Sequence, residues 1–215
     1  MTILITGTSR GIGKAIAEKF LKEGHRVVGI DKETSSISSP SYEHFCLDLR
    51  TRKFPVLQEL YGIINAAGIL EGGSEIIDNN LTAILDLCEY YLPLKPKAVL
   101  NIASSTARNG AEFPYYTASK GGLVSYTKNL AIRMGEYGGL ANTLSPGGVY
   151  TESNNRVLMD EAKRKEAIGE SLLNKWAEVE EIADWAYFIL MSNRSMTGED
   201  ILIDNGEMLK SNFVW

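Results

Sequence analysis

The sequence predicts a doubly wound α/β domain with a seven-stranded parallel sheet and helices on both faces. Short β-branched runs alternate with longer helical patterns, several runs are apolar at consecutive positions, and the first ends in a glycine-rich turn. Consecutive apolar residues suit strands covered on both faces, the environment of a parallel sheet. The predicted strands are TILIT (2–6), RVVGI (26–30), HFCL (44–47), GIIN (62–65), KAVLNI (97–102), LANTLS (140–145) and ILID (201–204). Helical patterns cover 11–23, 76–92, 114–137 and 179–191. Between 48 and 65 there is room for only one short helix, interrupted by Pro55, and 68–80 allows a brief connection. ETSSISSPS (33–41) reads as a surface loop, and DEAKRKEAIGES (160–171) as a charged, solvated helix within a candidate flap over 152–175.

With 215 residues and 44% hydrophobic content, the chain can bury a core as a single domain. A net charge of -5 provides no basic footprint for phosphate backbones, so nucleic acid is not an expected partner. Cys46 and Cys88 lack CxxC or metal-ligand spacing and read as reduced packing residues, with no metal implied. MTILITG is a strand-length apolar run without the basic start of a signal peptide, and no apolar stretch approaches the roughly 20 residues that span a bilayer. A cytoplasmic chain without a membrane partner is the expectation.

The turn TGTSRGIG places Gly7, Gly11 and Gly13 between the first strand and a helix. Backbone N–H groups at a helix N-terminus, with glycines permitting close approach, form an anion site, and a dinucleotide pyrophosphate is its natural ligand. The second strand ends at Asp31, where a carboxylate can accept from an adenosine ribose 2′-OH and would repel a 2′-phosphate. This favours NAD(H). Arg10 and Lys32 can each pair with such a phosphate, which keeps NADP(H) open.

FPYYTASKGG (113–122) holds the second chemical signal. At about 100° per helical residue, Tyr116 and Lys120 lie roughly 40° apart, whereas Tyr115 is displaced by roughly 140° from Lys120. Tyr116 therefore shares the lysine's face, and Pro114 suits the first helical turn.

Taken in order, TGTSRGIG, NAAG (65–68), YTASK (116–120) and SPGGVYT (145–151) resemble the short-chain dehydrogenase/reductase family in its classical subtype. The resemblance spans nearly the whole chain and implies a single-domain Rossmann fold. It further implies that Gly7, Ser9, Arg10, Gly11, Ile12 and Gly13 form the pyrophosphate and ribose turn, and that Asp48 and Leu49 meet the adenine. Asn65, Ala66, Ala67 and Gly68 resemble the family's NNAG segment, which stabilises the sheet and lines the adenosine ribose; Ala66 replaces its second asparagine, which puts a structural hydrogen bond rather than the chemistry in doubt. Asn80 fits the asparagine that holds a water near the lysine, with Asn79 as its competitor. Ser104, rather than Ser105, fits the substrate-positioning serine. Pro146, Gly147, Val149 and Thr151 resemble the segment that binds the nicotinamide carboxamide.

The chemistry so implied is NAD(P)-dependent hydride transfer to or from a small alcohol or carbonyl substrate. Tyrosine titrates near 10, and a fixed lysine ammonium stabilises its phenolate, so Tyr116 becomes a candidate acid/base. Lys120 also holds the nicotinamide ribose, and Asn80 links Lys120 to solvent. A non-catalytic dinucleotide-sensing regulator or scaffold is the alternative, and an epimerase or dehydratase a third reading. The long Tyr116 helix is expected to form a homodimer or homotetramer interface. His25, His44, Trp176, Trp185 and Trp215 are expected to pack rather than to act. The polar flap sequence offers no obvious deep apolar pocket, and the shortened stretch after Asp48 predicts an open adenine side.

Overall fold

Strands β1 (Thr2–Thr6), β2 (Arg26–Asp31), β3 (Tyr42–Cys46), β4 (Gly62–Asn65), β5 (Ala98–Ile102), β6 (Leu140–Pro146) and β7 (Asp200–Ile203) form one parallel sheet. The computed structural model describes residues 1–111 and 113–209. The packing expected of Trp215 lies outside the described residues. Strand order is β3-β2-β1-β4-β5-β6-β7, so all seven predicted runs are strands, the third beginning at Tyr42.

Helices α1 (Gly11–Lys22) and α8 (Val179–Tyr187) cover one face of the sheet; α3 (Ala83–Tyr91) and α5 (Pro114–Gly135) cover the other. The alternation along β1 shows why both faces are apolar. Ile3 and Ile5 pack with Ile16 and Phe20 of α1, while Leu4 between them packs with the cluster that holds Leu87 of α3 and Leu130 of α5. Each such fully buried side chain contributes about 1.5–3 kcal/mol over an exposed one.

Two helices contain a widened turn. A short α2 (Glu75–Ile77) runs through a π turn over Asp78–Thr82 into α3, and α8 ends in another over Phe188–Ser192. A short α4 (Thr106–Asn109) follows β5, and the predicted flap contains α6 (Asn155–Leu158) and α7 (Glu161–Gly169). Asp160 caps α7 by accepting from the Ala162 and Lys163 N–H groups.

The short helix expected between residues 48 and 65 is absent. Only a 3-10 turn forms at Leu49–Thr51, after which the chain runs without regular structure to β4. Pro55 removes a backbone donor and disfavours helical geometry at Phe54. Two buried side chains, Phe54 and Leu60, hold the segment down, and Arg52 donates to Asp78 (2.6 Å) and Asp86 (2.8 Å) near and on α3.

Candidate active site

β1 and β4 are neighbours in the sheet, yet the chain winds away from them in opposite directions. Ligand crevices open at such a switch point, beyond the carboxyl ends of the strands. A cavity of about 540 Å³ lies there, lined by the glycine turn after β1, the Ala66–Gly68 segment after β4, and the ends of β5 and β6.

Close backbone packing shapes the glycine turn. Gly7 has φ +77°, and a Cβ on Gly13 would lie 2.1 Å from the Gly7 carbonyl oxygen. Gly7, Arg10, Gly11, Ile12 and Gly13 all line the cavity. Arg10 precedes α1 without a side-chain cap bond, and the first turn of α1 contains no acidic residue. The orphan N–H groups and positive end of this helix can receive an anion, and the cradle fits a pyrophosphate.

At the wall after β2, Asp31 is fixed from both oxygens: Ser9 N–H donates to Oδ2 and Glu33 N–H donates to Oδ1, each at 3.0 Å. Ser9 itself does not line the cavity; its hydroxyl donates to the Glu33 carbonyl. Arg10 pairs with the Glu33 carboxylate at 3.4 Å, whereas Lys32 lines the cavity beside Asp31. Asp48 and Leu49 are also at this wall, but the Asp48 carboxylate takes two hydrogen bonds from Arg50 Nε and another, of 2.6 Å, from its Nη2. The Arg50 guanidinium holds Asp48 below the ordinary carboxylate range.

Asn65 is set apart from the three residues that follow it. Ala66, Ala67 and Gly68 line the cavity, while Asn65 is buried behind it and donates to Asn101 Oδ1 (2.8 Å) and Cys88 Sγ (3.3 Å). Asn101 in turn donates to Thr127 on α5, so this chain of amides joins β4, β5 and α5. Asn65 Oδ1 is a buried acceptor without a partner among the described residues. Burial pushes the Cys88 thiol up to about 12, which keeps it neutral.

Tyr116 and Lys120 meet as the helical spacing requires, with Nζ 5.6 Å from the Tyr116 ring centroid. Tyr115 is exposed and does not line the cavity. Lys120 Nζ is buried and donates to the Ile102 carbonyl at the end of β5 (2.8 Å), and burial lowers its pKa to about 8. Ser104 lines the same cavity, and its Oγ accepts from the Thr106 N–H (3.3 Å) and hydroxyl (3.2 Å). Ser105 N–H, bonded to the Pro146 carbonyl, ties this loop to β6.

Asn80 lies fully buried in the π turn, and both ends of its amide are used. Oδ1 accepts from Ile69 N–H and Nδ2 donates to Ile69 O, both at 2.8 Å, so the side chain holds the segment that follows β4. Asn80 also reaches Ser119 Oγ (3.4 Å), which donates to the Tyr116 carbonyl (2.7 Å). Asn79, the competitor, lines the cavity and donates to Asn80 Oδ1.

Pro146, Gly147, Val149 and Thr151 line the remaining wall. Backbone bonds between Gly148 and Ala177 and between Ala177 and Tyr150 pin this segment. Trp176 also lines the cavity, contrary to a pure packing role. Its indole lies so close to Gly148 that a Cβ there would come within 2.3 Å, and Nε1 donates to Ala167 at the end of α7 (3.3 Å). With Val157 and Ala167, it supplies the apolar surface that the polar flap sequence conceals.

His44 is expected only to pack, yet Nε2 donates to the Glu33 carbonyl (2.9 Å) and Nδ1 accepts from the Tyr42 hydroxyl (2.8 Å), whose oxygen also lies within hydrogen-bonding distance of Thr8 Oγ1 (2.8 Å). The sequence signal for this cluster is Gly29, a glycine inside a strand, where a Cβ would lie 2.3 Å from the Tyr42 hydroxyl.

The cavity at the switch point, with its glycine turn and Tyr116–Lys120 pair, agrees with the comparisons to known proteins. A short chain dehydrogenase family profile matches residues 1–44, and the profile described as enoyl-(acyl carrier protein) reductase matches residues 63–207. The chain belongs to the short-chain dehydrogenase/reductase family. Neither match includes 45–62, the stretch that contains the missing helix. Among relatives of this short-chain dehydrogenase/reductase, "Short chain dehydrogenase adrF" of Penicillium roqueforti is 30% identical, over 95% of this chain and 96% of its own. L-xylulose reductase of Bos taurus is 27% identical over 94% of each. A solved short chain dehydrogenase family protein from Francisella tularensis superposes with a TM-score of 0.85 at 27% identity, covering 97% of this chain and 99% of the other. 4-Hydroxyisoleucine dehydrogenase complexed with NADH superposes at 0.86 with 25% identity, covering 98% and 99%. No described helix is long and apolar enough to cross a membrane, and among the described residues no cluster of metal-ligating side chains occurs.

Proposed function

We propose that the chain is an NAD(H)-preferring oxidoreductase that interconverts a hydroxyl and a carbonyl group on a small molecule. The observation that carries this reading is the buried Lys120 ammonium 5.6 Å from the Tyr116 ring, at the switch-point cavity. A bound nicotinamide supplies or accepts the hydride. Tyr116 exchanges the proton with the substrate oxygen, because alkoxide formation without proton transfer is costly. The Ser104 hydroxyl, held by Thr106, orients that oxygen. Lys120 favours the phenolate electrostatically and donates to the nicotinamide ribose. Asn80 acts through position: its amide fixes Ile69 at the wall of the cavity that Lys120 also lines.

Asp31 lines the cavity after β2, where its carboxylate would meet an adenosine ribose, and this supports NAD(H) over NADP(H). The NADH complex of 4-hydroxyisoleucine dehydrogenase supports a nicotinamide cofactor in this cleft, and Trp176 with Val157 supports a small carbonyl or alcohol substrate. The test is to titrate NADH and NADPH by fluorescence, then to follow absorbance with a panel of aldehydes, ketones and alcohols. Turnover with part of the panel is expected; dinucleotide binding without turnover across it would sink the enzymatic reading and leave a sensing protein. Assembly as a homodimer or homotetramer through the long α5 (Pro114–Gly135) belongs to the same reading. Sedimentation at micromolar concentration checks this, and a monomer refutes it.

A further inference from the structure

We infer that Glu33 is a second determinant of cofactor choice, holding the Arg10 guanidinium away from the position of a 2′-phosphate. The inference rests on the dinucleotide reading of the cleft. Asp31, the residue expected to choose between the cofactors, has both oxygens anchored by backbone N–H groups. What distinguishes this rim is the next acidic residue. Arg10 Nη1 stands 3.4 Å from Glu33 Oε1 and 3.4 Å from Oε2, and Arg10, Asp31, Lys32 and Glu33 line the same end of the cavity. A guanidinium is the preferred partner of a phosphate, so an unengaged Arg10 would attract a 2′-phosphate past the Asp31 carboxylate. The Glu33 carboxylate competes for it.

Such a pair, both side chains about half exposed, would ordinarily be too mobile to count. Here the backbone of Glu33 is fixed at every polar atom. Its N–H donates to Asp31 Oδ1, and its carbonyl accepts from Ser9 Oγ (3.0 Å) and His44 Nε2 (2.9 Å). A carbonyl accepts only, so His44 carries its proton on Nε2. His44 is itself seated on β3 by the Tyr42 hydroxyl, which reaches Thr8 in the glycine turn. Residues 8, 9, 31, 33, 42 and 44 thus form one hydrogen-bonded frame that aims Glu33 at Arg10, giving the frame a purpose beyond packing.

The experiment measures NADH and NADPH dissociation constants by fluorescence titration of the intact chain, its Glu33→Gln and Glu33→Ala variants, Arg10→Ala, and the Arg10→Ala/Glu33→Gln double variant. Removing the carboxylate is expected to shift the NADPH:NADH affinity ratio toward NADPH by about two- to fivefold, the range of one exposed ion pair. The shift is expected to vanish when Arg10 is absent. An unchanged ratio in both Glu33 variants, or an equal shift without Arg10, overturns the inference while leaving the cleft reading intact. A wild-type chain that binds neither dinucleotide overturns the cleft reading instead, and one that holds NADPH more tightly than NADH overturns the assignment of Asp31.

Discussion

The two ends of the cleft are built by opposite means. Around Tyr116 the candidate groups are buried and committed: Lys120 is enclosed against the end of β5, Asn80 has no exposed surface, and Ser104 is anchored by Thr106. Around Asp31 the candidate groups are exposed charges in pairs, Arg10 with Glu33 and Asp48 with Arg50, on a loop frame. Burial makes electrostatic effects strong and costs stability, whereas exposure makes them weak and adjustable. One end is therefore suited to chemistry and the other to selectivity.

The sharpest way to break this contrast is at Tyr116. Tyr116→Phe is expected to lower kcat by about 10²–10⁴-fold, the usual share of a general acid/base, with NADH affinity retained. Turnover within a few-fold of wild type would remove the assigned mechanism.

Lys120 exposes the stability cost. Burial lowers its folded-state pKa to about 8 from 10.5, so between those values the unfolded chain binds more protons than the folded one. The penalty of enclosing the ammonium is complete below about pH 8 and is relieved as pH rises toward 10.5. Lys120→Met removes that penalty along with activity. Its melting temperature is expected to exceed that of wild type most at pH 7 and to converge with it by pH 10; a gap that does not change with pH would contradict the assignment.

The smallest effect is expected where the shortened segment is fastened. Arg52, paired with Asp78 and Asp86, substitutes for the packing of a helix. Arg52→Ala is expected to cost about 1 kcal/mol, or about 2–4 °C in Tm, without altering kcat. A loss of turnover in calorimetrically folded Arg52→Ala protein would mean that the two ends are coupled.

Legibility in the sequence followed the range of each interaction. The seven strands, the glycine turn and the Tyr116–Lys120 pair are written in local spacing, and each is where its pattern put it. Asn65 was placed in the right segment but not on the right side of it, because its donation to Asn101 depends on the β4–β5 register. The His44–Glu33 contact likewise requires β2 and β3 to pair with Gly29 opposite His44. Trp176 reaches Gly148 only through the bridge between Val149 and Ala177. The absent helix after Thr51 was hinted at by Pro55, but its replacement by Phe54, Leu60 and the Arg52 clamp is a tertiary solution that no short window encodes.

Strand order has a consequence for how the chain acquires its ligand during synthesis. The walls of the cleft come from residues near 7–13, 66–68, 104 and 146–151, so a ribosome must release about two thirds of the polypeptide before they can meet. The cleft therefore lacks a wall until the sixth strand has docked. Once captured, the dinucleotide binds only the finished fold and draws late intermediates toward it by mass action.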